Sequence, residues 1–188
     1  MLYRELSLAG HSQTEGDIND LPLLSEKMVR SNAEVLFHLA AQPIVLNSYE
    51  DPIGTFEANV MGTARVLQAA RFAPSLKSIV IITTDKVYQN NEWVWGYREQ
   101  DALGGDDPYS ASKAAVEIVT HSMATSFFND VAAPAVVTAR AGNVIGGGDW
   151  AEHRLLPDAA RSLGAAEPLV CRNPASVRPW QHLSLIHI

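Results

Sequence analysis

Three short apolar runs, separated by helix-like patterns, dominate the chain. They cover residues 34–40 (EVLFHLA), 78–83 (SIVIIT) and 134–139 (PAVVTA). Each run is nearly continuous and rich in β-branched residues, which is typical of strands buried on both faces of a parallel sheet. The pattern therefore predicts three parallel strands.

The segments between the runs predict two helices. Asp51 and Pro52 suit the N-cap and the first position of one helix. Its apolar residues would share one face: Ile53, Phe56, Val60, Ala64 and Leu67. Asp107 and Pro108 open a second helix that runs towards Phe127. Strands that alternate with helices predict an α/β protein with a Rossmann-like, doubly wound parallel sheet.

The composition favours an ordinary globular domain. Of the 188 residues, 47% are hydrophobic and 19% charged, and the net charge of −7 disfavours binding to nucleic acid or to anionic membranes. Cys171 is the only cysteine, which excludes an intrachain disulfide and a cysteine-based zinc site. We find no apolar run long enough to cross a bilayer and no secretory signal. We therefore expect a soluble, cytoplasmic protein with no metal, nucleic-acid or membrane partner.

Tyr109 and Lys113 lie four residues apart on the second predicted helix, so their side chains share one face. An ammonium group beside a phenol lowers the phenol pKa, and such a tyrosine can take a proton from a sugar hydroxyl. The same spacing also occurs on solvated helix faces. The pair by itself leaves both interpretations open.

Thr84, Asp85 and Lys86 directly follow the second predicted strand. Open α/β sheets bind their ligands at the carboxyl ends of the strands. A threonine, an acid and a base could converge on a substrate there. A turn with a surface ion pair explains these residues equally well.

Two further segments could approach a cofactor. Ala40 and Ala41, after the first strand, are small enough to let a ribose come close to the backbone, or simply to pack tightly. His38 is more simply explained as a hydrogen-bonded core histidine. Asp17, in the run GDIND (16–20), could place a carboxylate against an adenine amino group, although a turn explains it as well.

Glycine and arginine supply two weaker signals. No Lys-Ser or Lys-Thr pair follows the GGG run (146–148), so a chain turn explains it better than a Walker loop. Arg172, Arg178 and His182 form a basic cluster, and arginine suits phosphate oxygens. A solvated basic edge is the alternative.

Five segments, in their order and spacing, resemble successive blocks of the extended short-chain dehydrogenase/reductase family. They are HLAAQP (38–43), NVMGT (59–63), TDK (84–86), YSASK (109–113) and ARAGNVIGGGDW (139–150). The most diagnostic segments are EWVWGYRE (92–99), RNP (172–174) and RPWQH (178–182). The resemblance extends over residues 1–182 and implies an NAD-dependent nucleotide-sugar 4,6-dehydratase. Relatives that use dTDP- or GDP-sugars usually carry Asp-Glu at the position of Asp85-Lys86, so the implied substrate is CDP-glucose.

The resemblance implies a role for each of five residues. Tyr109 would deprotonate the glucose 4-hydroxyl as hydride passes from C4 to NAD. Lys113 would hold the nicotinamide ribose and lower the tyrosine pKa, while Thr84 would bond the 4-oxygen. Lys86 would then remove the C5 proton, and Asp85 would protonate the departing 6-hydroxyl. Hydride would return to C6, so the reaction has no net redox change.

The resemblance also implies binding residues. On the cofactor side they are Asp17 and Ile18 at the adenine, Ala40, Ala41 and Gln42 beside the ribose, and Asn59, together with Tyr109 and Lys113. Asn143 would touch the sugar nucleotide, and Arg178 would bind its diphosphate.

The family pattern also sets the expected domain organisation. Residues 1–150 would form a partial NAD-binding domain, 151–182 the start of a small substrate-binding lobe, and 183–188 (LSLIHI) a non-native tail. We do not find the family's first strand and Gly-x-x-Gly-x-x-Gly turn before Asp17, and the family continues past His182. We therefore expect an incomplete gene fragment that belongs to a homo-oligomer when complete.

Two other hypotheses compete with a CDP-glucose dehydratase. One is another member of the family, either an epimerase or a dehydratase for a different nucleotide. Asp85-Lys86 discriminates against the epimerase, which needs only the Tyr, Lys and Thr set. The other is an inert or merely binding fragment that cannot hold NAD without the phosphate turn.

Overall fold

Two compact units make up the structure, a computed structural model that describes residues 12–171 and 173–187. The first unit spans residues 16–141. The second combines residues 142–188 with residues 1–15, as far as these are described. Arg172, part of the predicted basic cluster, lies outside the described residues.

The elements of the first unit follow the predicted alternation. In chain order they are α1 (Leu21–Ser31), β1 (Val35–His38), α2 (Val45–Glu50), α3 (Pro52–Phe56), a π turn (Glu57–Met61), α4 (Gly62–Ala70), β2 (Ser78–Ile82), a 3₁₀ turn (Asp85–Val87), α5 (Pro108–Phe127) and β3 (Ala135–Ala139). The second unit contains β4 (Asn143–Ile145), α6 (Leu155–Ala165), β5 (Trp180–His182) and a 3₁₀ turn (Leu183–His187). Among the helices of the described ranges, none is long and apolar enough to span a membrane.

A parallel sheet in the order β1, β2, β3 forms the centre of the first unit, which confirms the predicted α/β fold. Val35 of β1 pairs with Ser78 of β2. At the other end Ile82 of β2 pairs with Ala139 of β3. The carboxyl ends of β2 and β3 therefore lie side by side.

The two faces of this sheet differ in burial. Ile79 and Ile81 of β2 are fully buried and belong to one core cluster with Leu67 of α4 and Val116 of α5. On the other face, Phe37 is 62% exposed and Val137 is 51% exposed. The prediction of burial on both faces is therefore wrong within the described residues, because α4 and α5 pack against the side that carries Ile79 and Ile81.

The helix predicted to begin at Asp51 is interrupted by a π turn. Asp51 is the N-cap as predicted, and its Oδ1 accepts a hydrogen bond from Gly54 N–H at 2.8 Å. The predicted shared face is wrong, because Leu67 is buried whereas Ile53 is 76% exposed. The π turn explains the change, since its wider turn shifts the helical register and leaves polar residues such as Thr55 on the buried side before it.

The long helix α5 begins and ends where the sequence predicts. Asp107 is its N-cap, and Oδ1 accepts a hydrogen bond from Ser110 N–H at 2.9 Å. The chain enters the helix through Gly105, whose φ is +128°. A Cβ atom at Gly105 would lie 2.4 Å from the backbone nitrogen of Ala111, so this approach requires glycine.

The second unit is built on a two-stranded parallel pairing. Asn143 of β4 pairs with Trp180 of β5, and Ile145 pairs with His182. Gly148, with φ +83°, turns the chain after β4, which agrees with the interpretation of the glycine run as a turn. The predicted domain limits at residues 150 and 182 stay a prediction.

Candidate active site

The start of α5 places Tyr109 and Lys113 one turn apart and inside the protein. Tyr109 is 8% exposed and Lys113 is 7% exposed. The backbone N–H of Tyr109 donates to Ser48 Oγ of α2 at 3.1 Å, which fixes the first turn of the helix. A solvated helix face is therefore the wrong interpretation of this pair.

Lys113 reaches the carboxyl end of β2. Its Nζ donates a hydrogen bond to the carbonyl oxygen of Ile82 at 3.0 Å. Burial lowers the pKa of Lys113 from 10.5 to about 8, because the interior disfavours the charged form. Among the hydrogen bonds of the described residues, this bond uses one of the three protons of the ammonium, so further donors could serve a ligand.

Thr84, Asp85 and Lys86 form the turn that follows β2. Thr84 Oγ1 accepts a hydrogen bond from Lys86 N–H at 3.4 Å and donates to Asp85 Oδ1 at 3.1 Å. Lys86 Nζ lies 3.5 Å from Asp85 Oδ1, and about a third of each of these two side chains is exposed (31% and 30%). Because α5 packs against this turn, the acid and the base lie beside the helix that carries Tyr109 and open partly to solvent.

His38 is the hydrogen-bonded core histidine that the sequence predicts. Its Nε2 lies 2.9 Å from Thr63 Oγ1, and that hydroxyl donates to the carbonyl oxygen of Asn59 at 2.6 Å. The Thr63 proton is therefore used, so Nε2 must be the donor in the His38 bond. Burial, together with the charge of Lys113, lowers the pKa of His38 from 6.5 to about 4.

Asn59 connects the loop after β1 to α5. Its Oδ1 accepts from Gln42 N–H at 2.8 Å, and its Nδ2 donates to the Gln42 carbonyl oxygen at 3.1 Å and to Ser112 Oγ at 2.8 Å. Asn59 is 1% exposed, so its side chain orders the segment that follows Ala41. Sequence analysis missed this connection, because the π turn that aims Asn59 inward leaves no mark in a regular helical pattern.

The remaining predicted residues fall into two groups. In the first unit, Asp17 Oδ1 accepts from Asn19 N–H at 2.8 Å, and the side chain of Ile18 packs against Gly62 at the start of α4. In the second unit, Asn143 starts β4 and Arg178 is exposed.

A buried ion pair near the candidate residues was also missed. Glu117 of α5 lies 3.0 Å from Arg140, which directly follows β3. Burial alone would raise the pKa of Glu117, but hydrogen bonds from Arg140, Thr83 and Thr138 lower it below its usual value. The sequence did contain a signal for Glu117: it follows Lys113 by four residues, which places both side chains on the same side of α5.

The diagnostic segment at residues 92–99 forms an aromatic cluster after the turn. The rings of Tyr88 and Tyr97 stack with centroids 4.9 Å apart, and Trp93 lies 5.1 Å from Tyr97. Within the described part of the chain, no group of three His, Cys, Asp or Glu side chains could hold a metal ion.

Comparisons with known proteins identify a family and related sequences for this chain. The sequence profile of the family described as GDP-mannose 4,6-dehydratase matches residues 5–184. The chain is similar to a CDP-glucose 4,6-dehydratase of Salmonella typhimurium, with 48% identity over 89% of this chain and 48% of that protein. It is also similar to a dTDP-D-glucose 4,6-dehydratase of Dictyostelium discoideum, with 29% identity over 76% of this chain and 34% of that protein.

Solved structures give the same fold. DesIV, a dTDP-glucose 4,6-dehydratase of Streptomyces venezuelae solved with NAD and TYD bound, superposes with a TM-score of 0.77. Its sequence identity is 29%, and the match covers 89% of this chain and 49% of DesIV. The chain thus spans about half the length of the Salmonella relative and of DesIV.

Proposed function

The chain belongs to the GDP-mannose 4,6-dehydratase family, and we propose that it supplies the catalytic part of an NAD-dependent dehydratase that converts CDP-glucose to CDP-4-keto-6-deoxyglucose. The observation that carries the proposal is the buried Tyr109–Lys113 pair on α5, beside the turn that bears Asp85 and Lys86. The 48% identity to a CDP-glucose 4,6-dehydratase supports the choice of substrate.

The residues at the carboxyl edge of the sheet fit a nicotinamide ribose. Lys113 presents a buried ammonium group that donates one hydrogen bond to the carbonyl oxygen of Ile82, and ribose hydroxyls are suitable acceptors for its other protons. Ala40 and Ala41 leave the backbone after β1 open to approach, and Gln42 is fixed next to them by Asn59. Asp17 and Ile18 would meet the adenine.

The first half of the proposed reaction is oxidation at C4. NAD, when bound, supplies a hydride acceptor at C4 and later a hydride donor at C6. Tyr109 acts as the phenolate, which the nearby ammonium of Lys113 stabilises, and it becomes the neutral phenol when it takes the proton of the 4-hydroxyl. The Thr84 hydroxyl, which bonds Asp85 Oδ1 in the structure, turns its proton to the 4-oxygen when substrate is bound.

The second half is elimination of water across C5 and C6. The 4-ketone acidifies the C5 proton, and Lys86, as a neutral amine, removes it. Asp85, in its acid form, transfers a proton to the 6-hydroxyl, which leaves as water. The elimination of one proton and one hydroxide thus balances as one water molecule, and Lys86 returns a proton to C5 as hydride reaches C6.

Further parts of the proposal concern the whole enzyme. Asn143 would contact the sugar nucleotide, and the exposed guanidinium of Arg178 would bind its diphosphate. We also propose a cytoplasmic homo-oligomer. Exposed apolar side chains on α2, α3 and α5, namely Tyr49, Ile53 and Ile118, support self-association.

Lys86→Ala in the full-length enzyme tests the proposed function. Loss of a general base lowers the rate of elimination by about 10²–10⁴-fold, whereas oxidation at C4 depends on Tyr109 and continues. Stopped-flow absorbance with CDP-glucose should therefore show reduced nicotinamide accumulating while 4-keto-6-deoxy product falls. Lys77→Ala, at an exposed Lys77–Glu34 pair, is the matched control and should behave like the unsubstituted enzyme. Unchanged formation of the 4-keto-6-deoxy product in Lys86→Ala would remove Lys86 as the base. An epimerised sugar in place of that product, in the unsubstituted enzyme, would favour an epimerase.

A further inference from the structure

Glu117 is a buried carboxylate that the proposed reaction does not use. It lies one turn after Lys113 on α5 and is 6% exposed. Its Oε1 accepts a hydrogen bond from Thr83 Oγ1 at 2.5 Å, and its Oε2 accepts from Thr138 Oγ1 at 2.9 Å and from Arg140 Nη2 at 3.0 Å. One carboxylate therefore joins α5 to the carboxyl ends of both β2 and β3.

Lys113 and Glu117 hold consecutive residues at the end of β2. Lys113 Nζ bonds the carbonyl oxygen of Ile82, and Glu117 bonds the side chain of the next residue, Thr83. Two oppositely charged side chains, one helical turn apart, thus attach α5 to two neighbouring residues. The position of this chain segment relative to the helix is set at two points.

The bond to Thr83 constrains Thr84. Thr83 N–H donates to the carbonyl oxygen of Ala139 at 2.8 Å, and Asp85 N–H donates to that of Ala141 at 2.9 Å. Thr84 lies between these anchored residues with extended dihedral angles, φ −155° and ψ 156°. Because successive side chains alternate in extended backbone, the attachment of Thr83 to Glu117 directs the Thr84 side chain the other way.

Arg140 extends the connection to the segment after Lys86. Its Nη1 donates to the carbonyl oxygen of Glu99 at 2.9 Å, and its guanidinium carbon lies 4.9 Å from the centre of the Tyr88 ring. The same buried ion pair therefore holds the turn at Thr83 on one side and at Tyr88 on the other.

We infer that the Glu117–Arg140 pair is a positioning device that holds Thr84, Asp85 and Lys86 in register with α5, an inference that rests on the proposed function. The pair acts through Thr83 and Tyr88. The first turn of α5 has a separate anchor, the bond from the backbone of Tyr109 to Ser48. Loss of the pair should therefore displace the acid and base more than Tyr109.

Two variants distinguish a role of the pair in positioning the turn from a role in the stability of the fold. Glu117→Gln keeps the shape of the side chain and removes its charge. Thr83→Val removes one hydroxyl and leaves the ion pair in place. Glu26→Gln, at the exposed Glu26–Arg30 pair of α1 (2.8 Å), is the matched control.

Amide hydrogen exchange in the full-length enzyme measures the geometry without turnover. We expect the amides of Thr83 and Asp85 to exchange at least ~10-fold faster in Glu117→Gln and Thr83→Val, because a local contact is lost. The amides of Ile79 and Ile81, inside β2, should keep their protection. Glu26→Gln should change neither set.

Turnover of CDP-glucose measures the consequence. For Glu117→Gln, kcat should fall about 10–100-fold, since small misplacements of catalytic groups cost that much. KM should stay within about two-fold, because substrate contacts are retained. Thr83→Ser, which keeps the hydroxyl, should keep the unsubstituted rate.

Several outcomes would overturn the inference. Faster exchange throughout β2 with unchanged kcat would indicate lost stability and no positioning role. Unchanged exchange at Thr83 and Asp85 in Glu117→Gln would remove the proposed geometry. Absence of turnover in the unsubstituted enzyme would overturn the proposed function and, with it, the role of the pair in the reaction. This outcome can be told apart from failure of the proposed geometry, because amide exchange is measured without turnover.

Discussion

Lys113 and Lys86 lie near the carboxyl end of the same strand, β2, in opposite surroundings. Lys113 is buried, and its ammonium is held by the carbonyl oxygen of Ile82 at 3.0 Å. Lys86 is about a third exposed, with its Nζ 3.5 Å from the carboxylate of Asp85. The difference matches the two proposed tasks. A cation that orients a cofactor and a tyrosine gains from a fixed, dry position, whereas a base that must reach the C5 proton of a bound substrate gains from an exposed one.

The largest expected effect comes from the buried pair, Tyr109 and Lys113, and it should differ in kind from the effect of changing the partly exposed Lys86. Tyr109→Phe should lower kcat by about 10⁴-fold, because the group that accepts the 4-hydroxyl proton is gone. Unlike Lys86→Ala, it should give no reduced nicotinamide in stopped-flow absorbance. Tyr49→Phe, at an exposed tyrosine on α2, is the control. Accumulation of reduced nicotinamide in Tyr109→Phe would show that oxidation does not need this phenol.

The pH dependence of C4 oxidation sharpens the contrast between the lysines. Burial lowers the pKa of Lys113 to about 8, so the required ammonium is lost as the pH rises through about 8. The rate of nicotinamide reduction should fall over that range. The folded-state pKa lies below the ordinary value of 10.5, so the unfolded chain binds more protons between the two values and the free energy of unfolding should rise with pH there. A pH–rate profile and denaturant titrations measure both trends; a rate that stays constant through this window would contradict the role given to Lys113.

His38 should make the buried region sensitive to acid. Its pKa is lowered from 6.5 to about 4, first by burial and then by Lys113, so the folded protein resists protonation. Below pH 6.5 the unfolded state takes up the proton, and up to ~3 kcal/mol of stability should be lost as the pH approaches 4. In urea unfolding, the free energy of unfolding of His38→Gln should depend less on pH than that of the unsubstituted protein. His121→Gln, at an exposed histidine, should keep the pH dependence of the unsubstituted protein. If the free energy of unfolding changed equally with pH in His38→Gln and in the unsubstituted protein, this account would be refuted.

The smallest expected effect concerns the link between the cofactor loop and α5. Asn59→Ala leaves the backbone N–H and carbonyl oxygen of Gln42 without their side-chain partner, which should cost about 1–3 kcal/mol of stability. The KM for NAD should also rise, because the loop that follows Ala41 loses its anchor. Asn47→Ala, at an exposed position of α2, is the control for both measurements. An unchanged KM together with lost stability would limit Asn59 to a structural role.

Much of the fold could be predicted because local signals coincide with it. The β-branched runs predicted β1, β2 and β3, and the Asp-Pro pairs predicted where two helices begin. The helix α1 was not predicted, although its N-cap Asp20 accepts a hydrogen bond from Leu23 N–H at 3.0 Å. Capping alone is a weak signal when the apolar spacing of a short helix is irregular.

The parts of the site that were missed depend on tertiary contacts. Residue spacing placed Tyr109 and Lys113 on one face but could not predict whether that face is buried. The inward direction of Asn59 depends on the π turn, and the environment of Glu117 depends on residues of two separate strands. Such features arise from packing between distant segments, which a local pattern does not encode.

Isotope transfer within the substrate tests the central claim most directly. The full-length enzyme is incubated with CDP-glucose that carries deuterium at C4, and the product is examined by NMR. A 4,6-dehydratase should move the deuterium to the C6 methyl group of a 4-keto-6-deoxy sugar without net reduction of NAD. Deuterium that remains at C4 of an epimerised sugar, or an unchanged substrate, would contradict the proposed reaction.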